Sequence, residues 1–163
     1  MKIGQYPTIA DLSTIKVQKY RQVLGKELYK EFTRAIGLVS NGVGIGAFVY
    51  LRRIFEHLIE EAHQKNAAVK GWDEDAYKNS RMDDRIKLLK ASLPDFLVSN
   101  RKLYSILSKG IHELDESICL SAFGVTRTGI EMILDEKLRE IELEQKTQAA
   151  AKDIERLHNK LNP

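Results

Sequence analysis

Two arginines and two histidines lie in the most apolar run of the sequence, Gly46 to His63, and three of them could act together. Arg52 and Arg53 carry guanidinium groups, which bind phosphate through two parallel hydrogen bonds. His57 carries an imidazole, which exchanges a proton near neutral pH. The run is therefore a candidate for phosphate binding and for general acid or base chemistry.

Helical geometry decides which of these side chains can meet. Arg52 and His57 are five residues apart, which separates them by about 140° around a helix. Arg53 and His57 are four residues apart and would be neighbours. The alternative is a solvated polar face on which acidic side chains neutralise the basic ones, and we favour it. Those acidic side chains are Glu56, Glu60 and Glu61.

A second candidate is the segment Ser108 to His112, where a histidine follows a predicted helix end. His112 could serve as a general acid or base, since Lys109 and Arg101 add positive charge to the same helix. It could equally cap the terminal carbonyl groups of that helix, which is a structural role. A site would need His112 to meet Arg53 or His57 from the central helix.

The stretch Asn41 to Gly46 contains three glycines before a predicted helix. Such a pattern can cradle a phosphate at a helix N-terminus, but that motif requires a strand before the loop. A helix is predicted there instead. The sequence therefore predicts a tight turn between two helices, with glycine allowing their backbones to approach closely.

Apolar residues recur at spacings of three and four along most of the chain, which predicts an all-α bundle of about five to six helices. The central helix is expected from about Val43 to Lys65, with a stripe wide enough for more than one neighbouring helix. Trp72 and Tyr77 are expected to hold the irregular connection 66–80 on the bundle. The other predicted helices cover 15–24, 26–39, 73–77, 82–93, 94–99 and 101–109. Gly25 is predicted to break the chain between the first two, and Gly110 is predicted to end the last.

The last predicted helix starts at Glu116 and runs nearly to the end of the chain. Large apolar residues become sparse beyond Glu144, yet Ile154, Leu157 and Leu161 keep helical spacing. This tail is predicted to project from the bundle or to pair with another chain. The predicted organisation is an extended lead-in at 1–12, a helical bundle at 13–144 and a helical extension at 145–163.

Composition excludes several classes of protein. The formal net charge of +3 over 163 residues does not identify a nucleic-acid binder. The single cysteine, Cys119, excludes an intrachain disulfide and is expected in the core. No known metal-ligand or cofactor motif is found, so neither a metal nor a cofactor is predicted. No run approaches the ~18 uninterrupted apolar residues of a membrane span, so we expect a cytoplasmic protein without membrane association.

Three segments occur in a suggestive order: Arg52-Arg53-Ile54-Phe55-Glu56, then Arg85-Ile86-Lys87-Leu88-Leu89, then Ser108-Lys109-Gly110-Ile111-His112. Over about residues 43–138 this order resembles the HEPN superfamily of small helical bundles. It looks most like an uncharacterised bacterial branch with an arginine-pair helix, a Lys-Ile helix and a histidine segment before a long last helix.

The resemblance implies a homodimer with two motifs facing each other across a cleft. It also implies roles in RNA cleavage, in phage defence or toxin systems, or as noncatalytic helical modules. In such a ribonuclease His112 and His57 would be the catalytic acid and base. The cations that bind phosphate would be Arg52, Arg53, Arg101 and Lys109.

One departure decides between these roles. The last motif of the HEPN nucleases begins with an arginine, and Leu107 stands there in this chain. Lys109 lacks the planar fork that binds phosphate through two hydrogen bonds. We therefore predict a noncatalytic interaction and dimerisation module of a bacterial defence or RNA-related system, whose partners are a second copy and another protein or domain. A metal-independent endoribonuclease or RNA-binding protein is the alternative.

Overall fold

The computed structural model describes residues 14–162, and these form an all-α bundle with a long C-terminal helix, as predicted. The described range contains no strand. Two short 3-10 helices lie at Gln18–Tyr20 and Lys90–Ser92. Residues 14–17 are also helical. The numbered α-helices are α1 Arg21–Ser40, α2 Gly44–Ala67, α3 Glu74–Lys78, α4 Met82–Leu88, α5 Asp95–Ser99, α6 Lys102–His112 and α7 Glu116–Leu161.

Helix α2 is the centre of the bundle and packs against α1, α6 and α7. Its buried residues cover about 140° of the helix circumference and fill the middle of the core. Phe48, Leu51, Ile54 and Phe55 are each fully buried. The prediction that a wide stripe would contact more than one neighbouring helix is thus confirmed.

The predicted break at Gly25 is confirmed. Gly25 has φ 69° and ψ 179°, a conformation that favours glycine, and it kinks α1 near its start. Val17, Tyr20 and Leu24 pack into the core on the N-terminal side of the kink. Ile15, in contrast, is 64% exposed. The predicted lead-in at 1–12 lies outside the described residues.

The predicted stop at Gly110 is wrong, because α6 continues to His112. Gly110 lies inside the helix and is buried against the ring of Phe48. A Cβ atom at this position would lie 2.0 Å from Cδ2 of Phe48. The glycine is therefore needed for close packing between α6 and α2, and not for ending a helix.

The connection after α2 is held on the bundle by aromatic contacts, as expected from its two large aromatic residues. Tyr77 is buried and stacks on His63, with ring centroids 3.9 Å apart. Asp73 caps α3 by accepting a hydrogen bond from the backbone amide of Ala76 at 2.9 Å. Glu74 accepts hydrogen bonds from Nε1 of Trp72 at 2.8 Å and contacts Nε2 of His63 at 2.9 Å.

These contacts predict an acid-sensitive step in this connection. The hydrogen bond with His63, followed by that with Trp72, lowers the pKa of Glu74 to about 2 from an ordinary 4.5. A carboxylate with a lowered pKa stabilises the fold above its unfolded pKa, and this stabilisation is lost as pH falls from 4.5 towards 2. We expect the fluorescence of Trp72, the single tryptophan, to report this loss.

The Glu74→Gln variant tests this step because it keeps an acceptor oxygen but cannot titrate. We expect its thermal stability to fall less than that of the wild type between pH 4.5 and 2. Glu155→Gln is the control, since Glu155 is exposed and has no side-chain partner within 14–162. Equal acid sensitivity of wild type and Glu74→Gln would contradict the prediction.

Helix α7 is buried along its first half only. Phe123, Ile130 and Leu134 pack into the core, while every described residue beyond Ile141 is exposed. By length and composition alone α7 could also cross a membrane, a criterion that core helices of globular bundles meet as well. Of its apolar segment, 33% is buried inside the bundle. The absence of membrane association therefore stays a prediction.

Candidate functional site

The structure brings His112 to Arg52, across the contact between α6 and α2. Nη1 of Arg52 lies 3.4 Å from Nε2 of His112. The sequence led us to expect Arg53 or His57 at this place, and neither contacts His112. The reason is the rotation of α2, which directs position 52 towards α6 and position 53 towards α1.

Arg52 is held by two further side chains. Its Nε donates to Oε1 of Glu56 at 2.8 Å, and its Nη2 donates to the hydroxyl of Tyr104 at 3.2 Å. The Tyr104 hydroxyl in turn donates to Oε1 of Glu56 at 3.0 Å. The guanidinium also lies over the Tyr104 ring, 5.5 Å from its centroid. We call Arg52, Glu56, Tyr104 and His112 the Arg52 cluster.

The pKa values in the Arg52 cluster follow from these contacts. The hydrogen bond with Glu56 raises the pKa of Arg52 above its ordinary value, against a smaller opposing effect of burial. Burial, with the hydrogen bond to Glu56, raises the pKa of the Tyr104 hydroxyl. The cluster thus sets the Arg52 guanidinium against the Glu56 carboxylate and the Tyr104 hydroxyl. It lacks the surplus of positive charge that a phosphate would need.

His112 does not cap its helix. The Lys109 carbonyl accepts from the backbone amides of Glu113 at 2.8 Å and Leu114 at 3.1 Å. The imidazole is exposed, and Arg52 is its one side-chain partner within residues 14–162. The structural alternative for His112, a cap, therefore finds no hydrogen bond in support, and the side chain is accessible from solvent.

The other predicted basic residues do not join the Arg52 cluster. Arg53 pairs with Glu31 of α1 at 2.9 Å, and Arg101 pairs with Asp83 of α4. Lys109 is exposed, and its ammonium group has no partner in the described part of the chain. Three of the four predicted phosphate-binding cations are thus each paired with a carboxylate.

His57 belongs neither to the Arg52 cluster nor to the ion pairs of Arg53 and Arg101. It is exposed and makes no side-chain hydrogen bond with any described residue. Glu60 and Glu61 were expected to neutralise this face, but they bind elsewhere. Glu60 contacts His63 at 3.4 Å, and Glu61 binds Lys137 at 3.0 Å. The proposed pairing of His57 with His112 as acid and base therefore has no geometric support within one chain.

The backbone amides of the glycine stretch donate hydrogen bonds to a carboxylate of the chain itself, that of Glu116. Glu116 accepts from the backbone amide of Gly44 through Oε1 and from that of Ile45 through Oε2, the latter at 3.2 Å. A Cβ atom on Gly44 would lie 2.7 Å from the backbone nitrogen of Leu120. These contacts support the predicted tight turn with close backbone approach. They also fill the position that an anion would take at this helix N-terminus.

Two groups in this region could not be identified from the sequence. Tyr104 lies on a helix whose periodicity marks only its apolar face, and Glu31 belongs to no motif that would single it out. Glu31 is largely buried beside Arg53, and its Oε2 makes no hydrogen bond. Both partnerships depend on how helices far apart in sequence are rotated against each other.

No family model, curated protein or solved structure matches this chain. The HEPN resemblance accordingly stays a prediction. Within residues 14–162 no three His, Cys, Asp or Glu side chains converge as metal ligands. The geometry of the Arg52 cluster is therefore the main guide to function.

Proposed function

We propose that this chain is a noncatalytic, HEPN-like helical module that forms a homodimer and docks another protein or domain. We place it in the cytoplasm, in a bacterial defence or RNA-related system. The observation that carries the proposal is the pairing of Arg52 with Glu56 and Tyr104, since Arg52 is the one predicted phosphate-binding arginine that reaches His112.

Charge supports the noncatalytic role. A phosphate at Arg52 would approach the Glu56 carboxylate, 2.8 Å from the guanidinium, and would meet repulsion there. Arg53 and Arg101 are each paired with a carboxylate of another helix. Surface ion pairs of this kind contribute only ~0–1 kcal/mol each, so they favour the proposal through the local charge balance rather than through their strength.

A metal-free RNA cleavage assay tests the proposal. We expect the wild type and His112→Ala to show the same background cleavage of single-stranded RNA in the presence of EDTA. Lys109→Ala serves as a second variant, because Lys109 is the one predicted phosphate-binding cation without a partner among the described residues. Cleavage by the wild type that His112→Ala abolishes would overturn the noncatalytic role.

The alternative is a metal-independent endoribonuclease or RNA-binding protein, and one observation favours it. His112 is exposed, lies 3.4 Å from Arg52 and follows Lys109 by one helical turn. In this alternative a second copy would have to supply the further acid or base. The Glu56→Gln variant discriminates, because it removes the competing charge from Arg52. The alternative predicts tighter RNA binding by Glu56→Gln, and our proposal predicts no change.

A further inference from the structure

Helix α7 carries a second apolar stripe, which lies beside its buried face. Its first half, the proximal stripe, consists of residues spaced by four and three positions: Ile118, Ala122, Val125, Gly129 and Met132. This stripe lies roughly 130° around the helix from the buried residues of α7. Ile118 is 45% exposed, Val125 76% and Met132 38%. The bundle thus leaves the three large side chains of this stripe partly exposed, while Ala122 packs against the core and Gly129 lies beside Leu103.

The second half, the distal stripe, continues on the same face of the helix. Met132 and Leu143 are eleven residues apart, which is three turns and returns to within about 20° of the same direction. The spacing of four and three then resumes. The distal stripe consists of Leu143, Thr147, Ala150, Ile154, Leu157 and Leu161. Its four large side chains are between 56% and 69% exposed.

The proximal stripe borders a groove of about 700 Å³ between α7 and the α5–α6 segment. Leu103 and the partly exposed Ile106 line the α6 side of this groove. Gly124 and Gly129 line the α7 side and present backbone where other residues would present a side chain. The groove is consequently wide enough to receive large apolar side chains from outside.

We propose that α7 pairs antiparallel with α7 of a second copy, so that the distal stripe of each chain occupies the groove of the other. This inference rests on the proposed homodimer and specifies its geometry. With Ile118 opposite the partner's Leu161, Val125 lies opposite the partner's Ile154, and Gly129 opposite the partner's Ala150. In a heptad labelled a to g, Ile118, Val125 and Ala150 are d positions, and Leu161, Ile154 and Gly129 are a positions. Each pair therefore joins an a position to a d position, as antiparallel helix packing requires.

Side-chain size favours this arrangement. Ala122 of the proximal stripe lies opposite the large Leu157 of the distal stripe, and Met132 lies opposite the smaller Thr147. In a parallel pair Gly129 would face the partner's Gly129, whereas in the antiparallel pair it faces the larger Ala150. Together with Ile106, the exposed large apolar side chains of both stripes present on the order of 800 Å² per chain, which is what one partner contributes to a standard interface.

Charge favours the same direction. The dyad of the antiparallel pair falls between positions 139 and 140, where Arg139 faces the partner's Glu140 and Glu140 faces the partner's Arg139. In a parallel pair Glu136 would face the partner's Glu136 and Glu140 would face the partner's Glu140. Like charges in successive layers of a helix pair oppose association.

Cysteine cross-linking tests the direction of the pair. The variant Val125→Cys/Ile154→Cys is treated with a short bismaleimide, and we expect a covalent dimer. Either single variant should stay uncross-linked, because equivalent positions are 29 residues, or about 44 Å of helix, apart in the antiparallel pair. Wild-type protein is the control, since its one cysteine, Cys119, is fully buried. Cross-linking of the Ile154→Cys variant to itself would establish parallel pairing and overturn the inference.

Sedimentation of full-length protein separates this inference from the proposed homodimer. We expect Ile154→Asp to weaken dimerisation at least tenfold while the circular dichroism spectrum stays unchanged. The matched control is Asn159→Asp, which makes the same change of charge on the opposite, exposed side of the tail. A dimer unaffected by Ile154→Asp would overturn the inference alone. A monomeric wild type would overturn both the inference and the homodimer.

Discussion

Replacing Gly110 with alanine is expected to lower the free energy of unfolding by about 1–3 kcal/mol, the usual cost of overpacking a core. The added methyl group would lie 2.0 Å from Cδ2 and 2.6 Å from Cε2 of Phe48, whose ring is fully buried. Neither the ring nor α6 can move without disturbing the packing of α2. Chemical denaturation monitored by circular dichroism measures the loss.

Two further variants make the cause of this loss specific. Gly37→Ala is the control, since Gly37 is also within a helix but has open space around the added methyl group. We expect it to gain roughly 0.5–1 kcal/mol, because alanine restricts the unfolded chain and favours the helix. Adding Phe48→Leu to Gly110→Ala should recover part of the loss. No destabilisation by Gly110→Ala would contradict the observed packing of α6 on α2.

Replacing Glu116 with alanine is expected to cost about 2 kcal/mol of stability, since hydrogen bonds to a charged group contribute ~1.5–3 kcal/mol. Its carboxylate accepts from the first two backbone amides of α2, those of Gly44 and Ile45. Those amides have no partner within α2 and carry the positive end of the helix dipole. The measurement is again the free energy of unfolding.

Glu113→Ala is the matched control for Glu116→Ala. Glu113 is an exposed carboxylate three residues earlier, and its side chain makes no hydrogen bond within the described residues. We expect its loss to change stability by less than ~0.5 kcal/mol. Glu116→Gln should fall between the two, because the amide oxygen can still accept but carries no charge. A Glu116→Ala variant as stable as Glu113→Ala would contradict the role of this carboxylate.

Helix α7 organises the bundle through a second carboxylate as well. Glu136 accepts from the backbone amide of Phe96, 3.2 Å from each of its oxygens, near the start of α5. One long helix thus binds the N-terminal amides of two others, twenty residues apart along its length.

The sequence by itself determined the helices and their inner faces. Spacings of three and four located α2 and the buried half of α7, because a helix that packs on a core must repeat its apolar residues with the period of the helix. It also located the kink at Gly25. These features depend on a few neighbouring residues, so a local pattern is sufficient to reveal them.

Only the tertiary structure decided which side chains meet between helices. The partner of Arg53 is Glu31, the partner of Arg52 across the bundle is His112, and Gly110 serves the packing of Phe48. Each of these depends on how far one helix is rotated about its axis and shifted along another. The apolar period is satisfied over a range of such rotations and shifts, and the close fit of the whole core selects one of them.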